Sequence, residues 1–166
     1  MTLSTTSIMS AIKRHLSIIG KRLYTKEGKN MFSDITLSSA EDVQILKQYI
    51  SASAQDVEAV LKQFITSATY SDSSITIVIQ NTRGDEDFEA RTQDLVTSYV
   101  TLNSVGEYLS MAHPDIAEKY HNDARQRISA LLEYVIYKEP PTAPTHTSGG
   151  TATPYSYADI TGQVTS

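Results

Sequence analysis

The feature that most constrains the fold is one short apolar strand in a chain whose other patterns are helical. Residues 74–80 read Ser-Ile-Thr-Ile-Val-Ile-Gln, and β-branched residues fill the five central positions, Ile75, Thr76, Ile77, Val78 and Ile79. A lone strand cannot satisfy its own backbone donors and acceptors, so it needs a partner. Two partners are open from the sequence: residues 31–37 of the same chain, or an extended segment of a neighbouring subunit, which makes residues 75–79 a subunit interface.

Helical periodicity covers most of the rest of the chain. Apolar residues at helical spacing predict a first helix over about 6–22 and a second from Ser38 or Ser39 to about Ser67. Ser38 and Ser39 are N-cap candidates, and Ser38 has capping-box spacing to Glu41. The acidic triplet at 85–87 opens a third helix, and Pro114 suits the first position of a fourth. The fold class expected is mainly α: a small bundle of about four helices with one strand or β-hairpin insertion.

The end of the chain differs from everything before it. The stretch Glu139-Pro140-Pro141 stops the last helix, and residues 142–166 are rich in Pro, Ser and Thr without a helical period. We therefore expect a helical domain over 1–141 and an extended C-terminal arm over 142–166. Within the arm, residues 155–160 read Tyr-Ser-Tyr-Ala-Asp-Ile and alternate like a short strand or a docking peptide.

Composition excludes several classes of protein. The 166 residues include no cysteine, which rules out disulfides and thiolate metal sites. No apolar run approaches the roughly 20 residues that a membrane span needs. The N-terminal residues lack a secretory pattern. We expect a soluble protein that is made in the cytoplasm and has no membrane partner.

The net charge of −5 is unevenly distributed. Residues 1–30 contain six basic residues and one acid, so this segment carries +5 and the rest of the chain −10. The basic residues are candidates for contact with DNA or an acidic partner, and the alternative is a solvated helix face. An acidic chain without tryptophan is a poor candidate for specific nucleic-acid recognition. The six are Lys13, Arg14, Lys21, Arg22, Lys26 and Lys29.

Motifs that would carry enzyme chemistry are not found. The sequence has no Gly-rich phosphate loop, no nucleophile elbow and no metal-ligand spacing of known type. Asp85, Glu86 and Asp87 with a histidine are a conceivable carboxylate site, but acids before a helix are ordinary dipole and capping chemistry. We predict no catalytic residues, no metal and no cofactor. Gly106, inside the third helix, predicts close approach of another backbone or a local weak point.

The end of the last helix and the arm are the predicted partner interface. The helix becomes apolar on most sides near its end, which is typical of a helix buried on most sides. Ten tyrosines suit partly buried protein contacts, although packing at the edge of the core explains any single one equally well. The predicted interface residues are Leu132, Tyr134, Ile136, Tyr137, Tyr155, Tyr157 and Ile160.

The closing helix carries a family resemblance. Its sequence runs Pro-Asp-Ile-Ala-Glu-Lys-Tyr at 114–120 and Ala-Leu-Leu-Glu-Tyr-Val-Ile-Tyr-Lys-Glu-Pro-Pro at 130–141. Together with the helix order and the single strand before the third helix, it resembles the head-to-tail connector (neck adaptor) proteins of tailed bacteriophages, in particular those of phages of gut Bacteroidales. The resemblance covers residues 1–141.

The resemblance implies a structural role in the virion neck. Such proteins form a ring of about twelve copies beneath the portal protein. The ring extends the DNA channel, where non-specific DNA contact is expected, and docks the next neck or tail protein. The alternative is a small helical adaptor or regulatory protein of the host that binds one partner through its last helix.

Overall fold

The computed structural model describes residues 1–22 and 39–136. The chain begins with a short strand, β1, and a long helix, α1. A second helix, α2, leads through one 3₁₀ turn at Lys62–Phe64 into a β-hairpin, β2 and β3, and two long helices, α3 and α4, complete the fold. The bounds are β1 Thr2–Ser4, α1 Thr5–Arg22, α2 Ala40–Val60, β2 Ile65–Tyr70, β3 Ser74–Ile79, α3 Phe88–Leu109 and α4 Pro114–Ile136. The predicted fold class is confirmed, with three strands rather than one.

The three strands form an antiparallel sheet in the order β1-β3-β2. On one side Leu3 of β1 lies opposite Ile75, and on the other side Tyr70 of β2 lies opposite the same residue. The Ile77 N–H donates to the Met1 carbonyl at 3.1 Å. The sequence places this strand at the centre of the sheet because it is the most apolar of the three, and a central strand is the one buried on most sides.

This pairing corrects the prediction for residues 75–79. The interpretation that the strand lacks a partner in its own chain is wrong, since β1 and β2 occupy its two edges over most of its length. Ile75 and Ile77 are buried in the core, and Thr76 and Ile79 are half-buried, which leaves Val78 as the exposed side chain of the five. These residues are therefore structural, and the alternative hairpin partner, 31–37, lies outside the described residues.

Helix α3 is the centre of the helical layer and packs against α1, α2 and α4. Its buried face includes Val96, Val100 and Val105, while α1 contributes Ile8, Ile12 and Leu16 to the same core. The sheet docks on these helices through Leu3 and Ile77. The Tyr70 hydroxyl donates to Glu58 Oε2 at 2.6 Å and so ties the end of β2 to α2.

Helix α2 begins with a capping box, one residue later than the predicted pair. Ser39 Oγ accepts from the Asp42 N–H at 3.0 Å, and Asp42 Oδ2 accepts from the Ser39 N–H at 3.2 Å. The helix ends at Val60, well before Ser67, because residues 65–70 form β2 instead. None of the helices in the described part of the chain is long and apolar enough to span a bilayer.

The C-terminal end of α4 is anchored by the loop that follows β3. Thr82 Oγ1 donates to the Val135 carbonyl, and Arg83 Nη1 donates to the Tyr134 carbonyl at 3.5 Å. These carbonyls have no partner within the helix, so the loop supplies what the helix end lacks. The C-terminal end of α4 is therefore held beside the loop that follows β3.

The internal pairing of β3 predicts a large difference between two adjacent residues. Ile77 is fully buried and Val78 is 42% exposed. Ile77→Ala should lower the free energy of unfolding of the isolated chain by about 2–5 kcal/mol, and Val78→Ala by less than about 1 kcal/mol. Urea unfolding followed by circular dichroism measures both. An Ile77→Ala chain that unfolds like the parent would mean that β3 is not part of the core.

Candidate assembly surfaces

Tyr134 lies at the centre of a cluster within its own chain. Its ring stacks on Phe88 with centroids 5.6 Å apart, and the guanidinium groups of Arg83 and Arg91 lie 4.5 and 5.3 Å from its centroid. Its hydroxyl faces Asp85 Oδ2 at 3.4 Å. Since cation–π contacts and stacking already use this ring, Tyr134 fastens α4 to the start of α3. The prediction that it serves a partner is replaced by this internal role.

Only part of the predicted partner interface on α4 is open to solvent. Leu132 is half-buried against the core, whereas Ile136 is 51% exposed at the helix end. Tyr137, Tyr155, Tyr157 and Ile160 lie outside the described residues. Most of the apolar surface of the last helix is thus covered by its own chain, and Ile136 marks the part that remains available.

An acidic groove lies where β1 begins, beside the end of β3. It encloses about 400 Å³ between the apolar side chains of Val78, Ile79 and Phe88 and the carboxylates of Asp85, Glu86 and Glu89. Asp85 pairs with Arg83 Nε at 2.8 Å, and Glu89 pairs with the Met1 amino group at 3.0 Å. Glu86 is exposed in the lining of the groove, whereas the neighbouring Asp87 is exposed outside it and lines a second groove with Arg91 and Asp94. The groove therefore presents negative charge around an apolar floor.

A basic face lies on α1. Lys13 and Arg14 are exposed, and Lys21, seven residues after Arg14, lies on the same helix face as Arg14. Leu102 of α3 lines a groove with Ile18 and Ile19 of α1, whereas Glu89 lies near Met1. The side chain of Arg22, and residues Lys26 and Lys29, lie outside what the structure describes.

His121 anchors a polar network between α2, α3 and α4. Its Nδ1 lies 3.1 Å from Asn103 Oδ1, and Asn103 Nδ2 donates to Ser53 Oγ at 3.1 Å. Ser53 Oγ in turn lies 3.4 Å from Ser104 Oγ in the core. An amide oxygen only accepts, so Nδ1 carries a proton and the imidazole is fixed in orientation. The network joins three helices, which is the role of a packed histidine.

Gly106 leaves the space that the ring of His121 occupies. A Cβ at this position would lie 2.7 Å from Cε1 of His121 and 2.8 Å from its Nδ1. The close approach predicted at Gly106 is therefore real, but the approaching group is an imidazole rather than a second backbone. Glycine is needed here for space.

Packing shifts the pKa values of two further ionisable groups, Tyr99 and His15. Burial, assisted by Asp56, raises the pKa of Tyr99 to about 12, and its hydroxyl donates to Asp56 Oδ2 at 3.4 Å. Burial, followed by the nearby charge of Arg14, lowers the pKa of His15, whose Nδ1 lies 3.2 Å from the Tyr120 hydroxyl. Both groups keep their uncharged form over the physiological pH range, as is usual for residues that tie helices together.

The acidic triplet does not form a site with a histidine. Asp85 contacts Arg83 and Tyr134, while His15 and His121 make their contacts with Tyr120 and Asn103. Within residues 1–22 and 39–136, no three histidine or carboxylate side chains come together as a metal site. Asp85 and Glu86 instead line the acidic groove, and Asp87 directly precedes the first residue of α3.

Removing the space at Gly106 should destabilise the fold. Gly→Ala inside a helix normally stabilises by about 0.5–1 kcal/mol. Here we expect Gly106→Ala to cost about 1–3 kcal/mol, since the imidazole must turn away from Asn103. In a His121→Ala background the same change should be neutral or stabilising. Urea unfolding of the four chains measures this, and a stabilised Gly106→Ala chain with His121 present would contradict it.

Comparison with known proteins leaves the geometry as the main guide to function. No protein-family model, curated protein or solved structure matches this chain.

Proposed function

We propose that this protein is a structural component of a tailed-phage virion that forms a ring between portal and tail. The ring extends the DNA channel and docks the next neck or tail protein. The closing helix that carries the resemblance is α4, a 23-residue helix that ends beside the sheet. The unpaired strand no longer supports this role, because β3 is completed within the chain. The support comes from the resemblance and from the distribution of surface charge.

The observation that carries the proposal is the pair of complementary surfaces on one chain. The acidic groove has Glu86 and Val78 exposed in its lining, Asp87 is exposed next to Glu86 along the chain, and the basic face has Lys13 and Arg14. The two surfaces lie on different elements, the acidic groove at the start of α3 and the basic face on α1. Two different surfaces that complement each other allow a head-to-tail contact between copies, and such contacts close into a ring when the rotation allows.

The basic face is assigned to a neighbouring copy rather than to DNA. The whole chain carries −5, so DNA in the channel meets a surface that is repulsive overall. Complementary charges at an interface mainly set orientation, partner choice and association rate. The host-adaptor alternative depends on a broad apolar face on α4, and the packing of Leu132 and Tyr134 within the chain reduces that face.

The first test uses the portal protein encoded in the same genome. The purified full chain is mixed with purified portal rings and imaged by electron cryomicroscopy. We expect a ring of about twelve copies stacked coaxially on the portal. Portal rings that stay bare at micromolar concentrations of the chain, or a source genome without a portal gene, would overturn the proposal.

The second test reverses the two surfaces separately and together. The Lys13→Glu/Arg14→Glu chain and the Glu86→Lys/Asp87→Lys chain each place like charges across the contact, and each should weaken assembly on portal rings by at least about tenfold. The chain with all four changes restores opposite charges and should recover most of the assembly. Mass photometry of portal-bound copies gives the occupancy.

A matched control separates this effect from net charge. Glu118→Lys/Glu133→Lys changes the net charge as much as the groove variant does, and both residues are exposed on α4. This control should assemble like the parent. Equal losses in the control and the groove variant, or no recovery in the fourfold variant, would show that these surfaces do not meet.

A further inference from the structure

The outer edge of β2 is an open side of the sheet in the part of the chain that the structure describes. β3 is the one described strand that pairs with β2. The opposite edge, on β1, is covered differently, since Gln93 Nε2 from α3 donates to the Thr2 carbonyl at 3.2 Å. The two edges of the sheet therefore differ, and the edge formed by β2 is the one that can accept a further strand.

The pairing pattern identifies which groups point outward. The Ser71 N–H donates to the Ser74 carbonyl at 2.9 Å, and Thr69 lies opposite Thr76, so residues 67, 69 and 71 direct their backbone groups toward β3. Residues alternate in this respect along an antiparallel strand. The N–H and C=O groups of Ala68 and Tyr70 therefore point away from β3, where an added strand would meet them.

The side chains along β2 do not protect this edge. The strand reads Ile-Thr-Ser-Ala-Thr-Tyr, with no proline and no charged residue. Natural sheets usually guard an exposed edge with lysine, proline or a covering element. An edge rich in threonine and serine without such protection is suited to main-chain pairing with an extended peptide.

The chain itself contains a segment of matching length and pattern. Residues 155–160, Tyr-Ser-Tyr-Ala-Asp-Ile, equal β2 in length, and tyrosine is favoured in strands and in cross-strand pairs with threonine. In an antiparallel register Asp159 lies near the start of β2, where Lys62 is exposed. We propose that this segment of a neighbouring copy adds to the outer edge of β2 as a fourth strand.

The linker before the segment is long enough for it to reach a neighbouring copy. α4 ends beside the sheet, since Thr82 binds its Val135 carbonyl and the Gln80 N–H next to Thr82 donates to Phe64 at the start of β2. The following residues include Pro140, Pro141 and Pro144. A linker of eighteen residues, 137–154, precedes the segment, and proline-rich sequences favour extended segments of about 3.1 Å per residue, a length sufficient to reach an adjacent copy. This inference rests on the proposed function for the presence of adjacent copies.

Photo-crosslinking in the full chain tests the docking. One preparation carries benzoylphenylalanine in place of Tyr157, and a second, isotopically heavy preparation has the parent sequence. The two are mixed, irradiated with and without portal rings, and analysed by mass spectrometry. We expect crosslinks from position 157 of the light chain to residues 65–70 of the heavy chain.

Ala68→Pro in the heavy chain provides the matched variant. It removes an outward N–H and leaves the ladder to β3 intact, a position where an edge strand tolerates proline. The crosslink yield should fall by about tenfold, while the melting temperature changes little. Thr151→Pro in the light chain, in the linker, should leave the yield unchanged.

The outcomes separate this inference from the ring. If rings form on the portal without the crosslink to 65–70, the docking is overturned and the proposed function stands. The same holds if rings form and the crosslinks to 65–70 join residues of one chain only. Crosslinks between chains without rings would support the docking and overturn the proposed function. Neither rings nor crosslinks would overturn both.

Discussion

The rest of the structure depends on the burial of β3 between two strands of its own chain. Ile75 and Ile77 point into the core with Leu3 and the helical residues, while the backbone groups of β3 are satisfied by β1 and β2. Without β1, the start of α1 would lose its attachment to the sheet, and without the hairpin, α4 would lose the loop that binds its last carbonyls. The sheet built around one apolar strand thus holds the start of α1 and the end of α4.

Long, periodic elements were predictable from the sequence, and short ones were not. The apolar spacing of α1 and Pro114 at the start of α4 place these helices within a residue or two of their observed bounds, and the acidic triplet places the start of α3 three residues early, at Asp85 instead of Phe88. β1 has only three residues, too few to show a period. β2 was interpreted as the end of α2, although its Ile, Thr and Tyr residues and the Ser71-Asp72-Ser73 turn form a hairpin signal with β3.

Surface roles were harder to predict than the fold, because a side chain does not reveal from sequence whether its own chain covers it. Tyrosine is a residue type typical of interfaces, yet the ring of Tyr134 is surrounded by Phe88 and two arginines of its own chain. The need for space at Gly106 was predictable, but the identity of His121 as its neighbour depends on the crossing of α3 and α4. The charge asymmetry was visible in the sequence, whereas the placement of the charges on two separate surfaces follows from the packing.

We propose that each copy satisfies both edges of β3 within its own chain and meets other copies through surfaces outside that strand. Amide hydrogen exchange on the isolated chain and on the portal-bound assembly tests this most directly. We predict that the amides of β3 are among the slowest to exchange in the isolated chain, and that the outward amides of Ala68 and Tyr70 become slow only on assembly. Rapid exchange of the β3 amides in the isolated chain, with protection gained on assembly, would contradict the account.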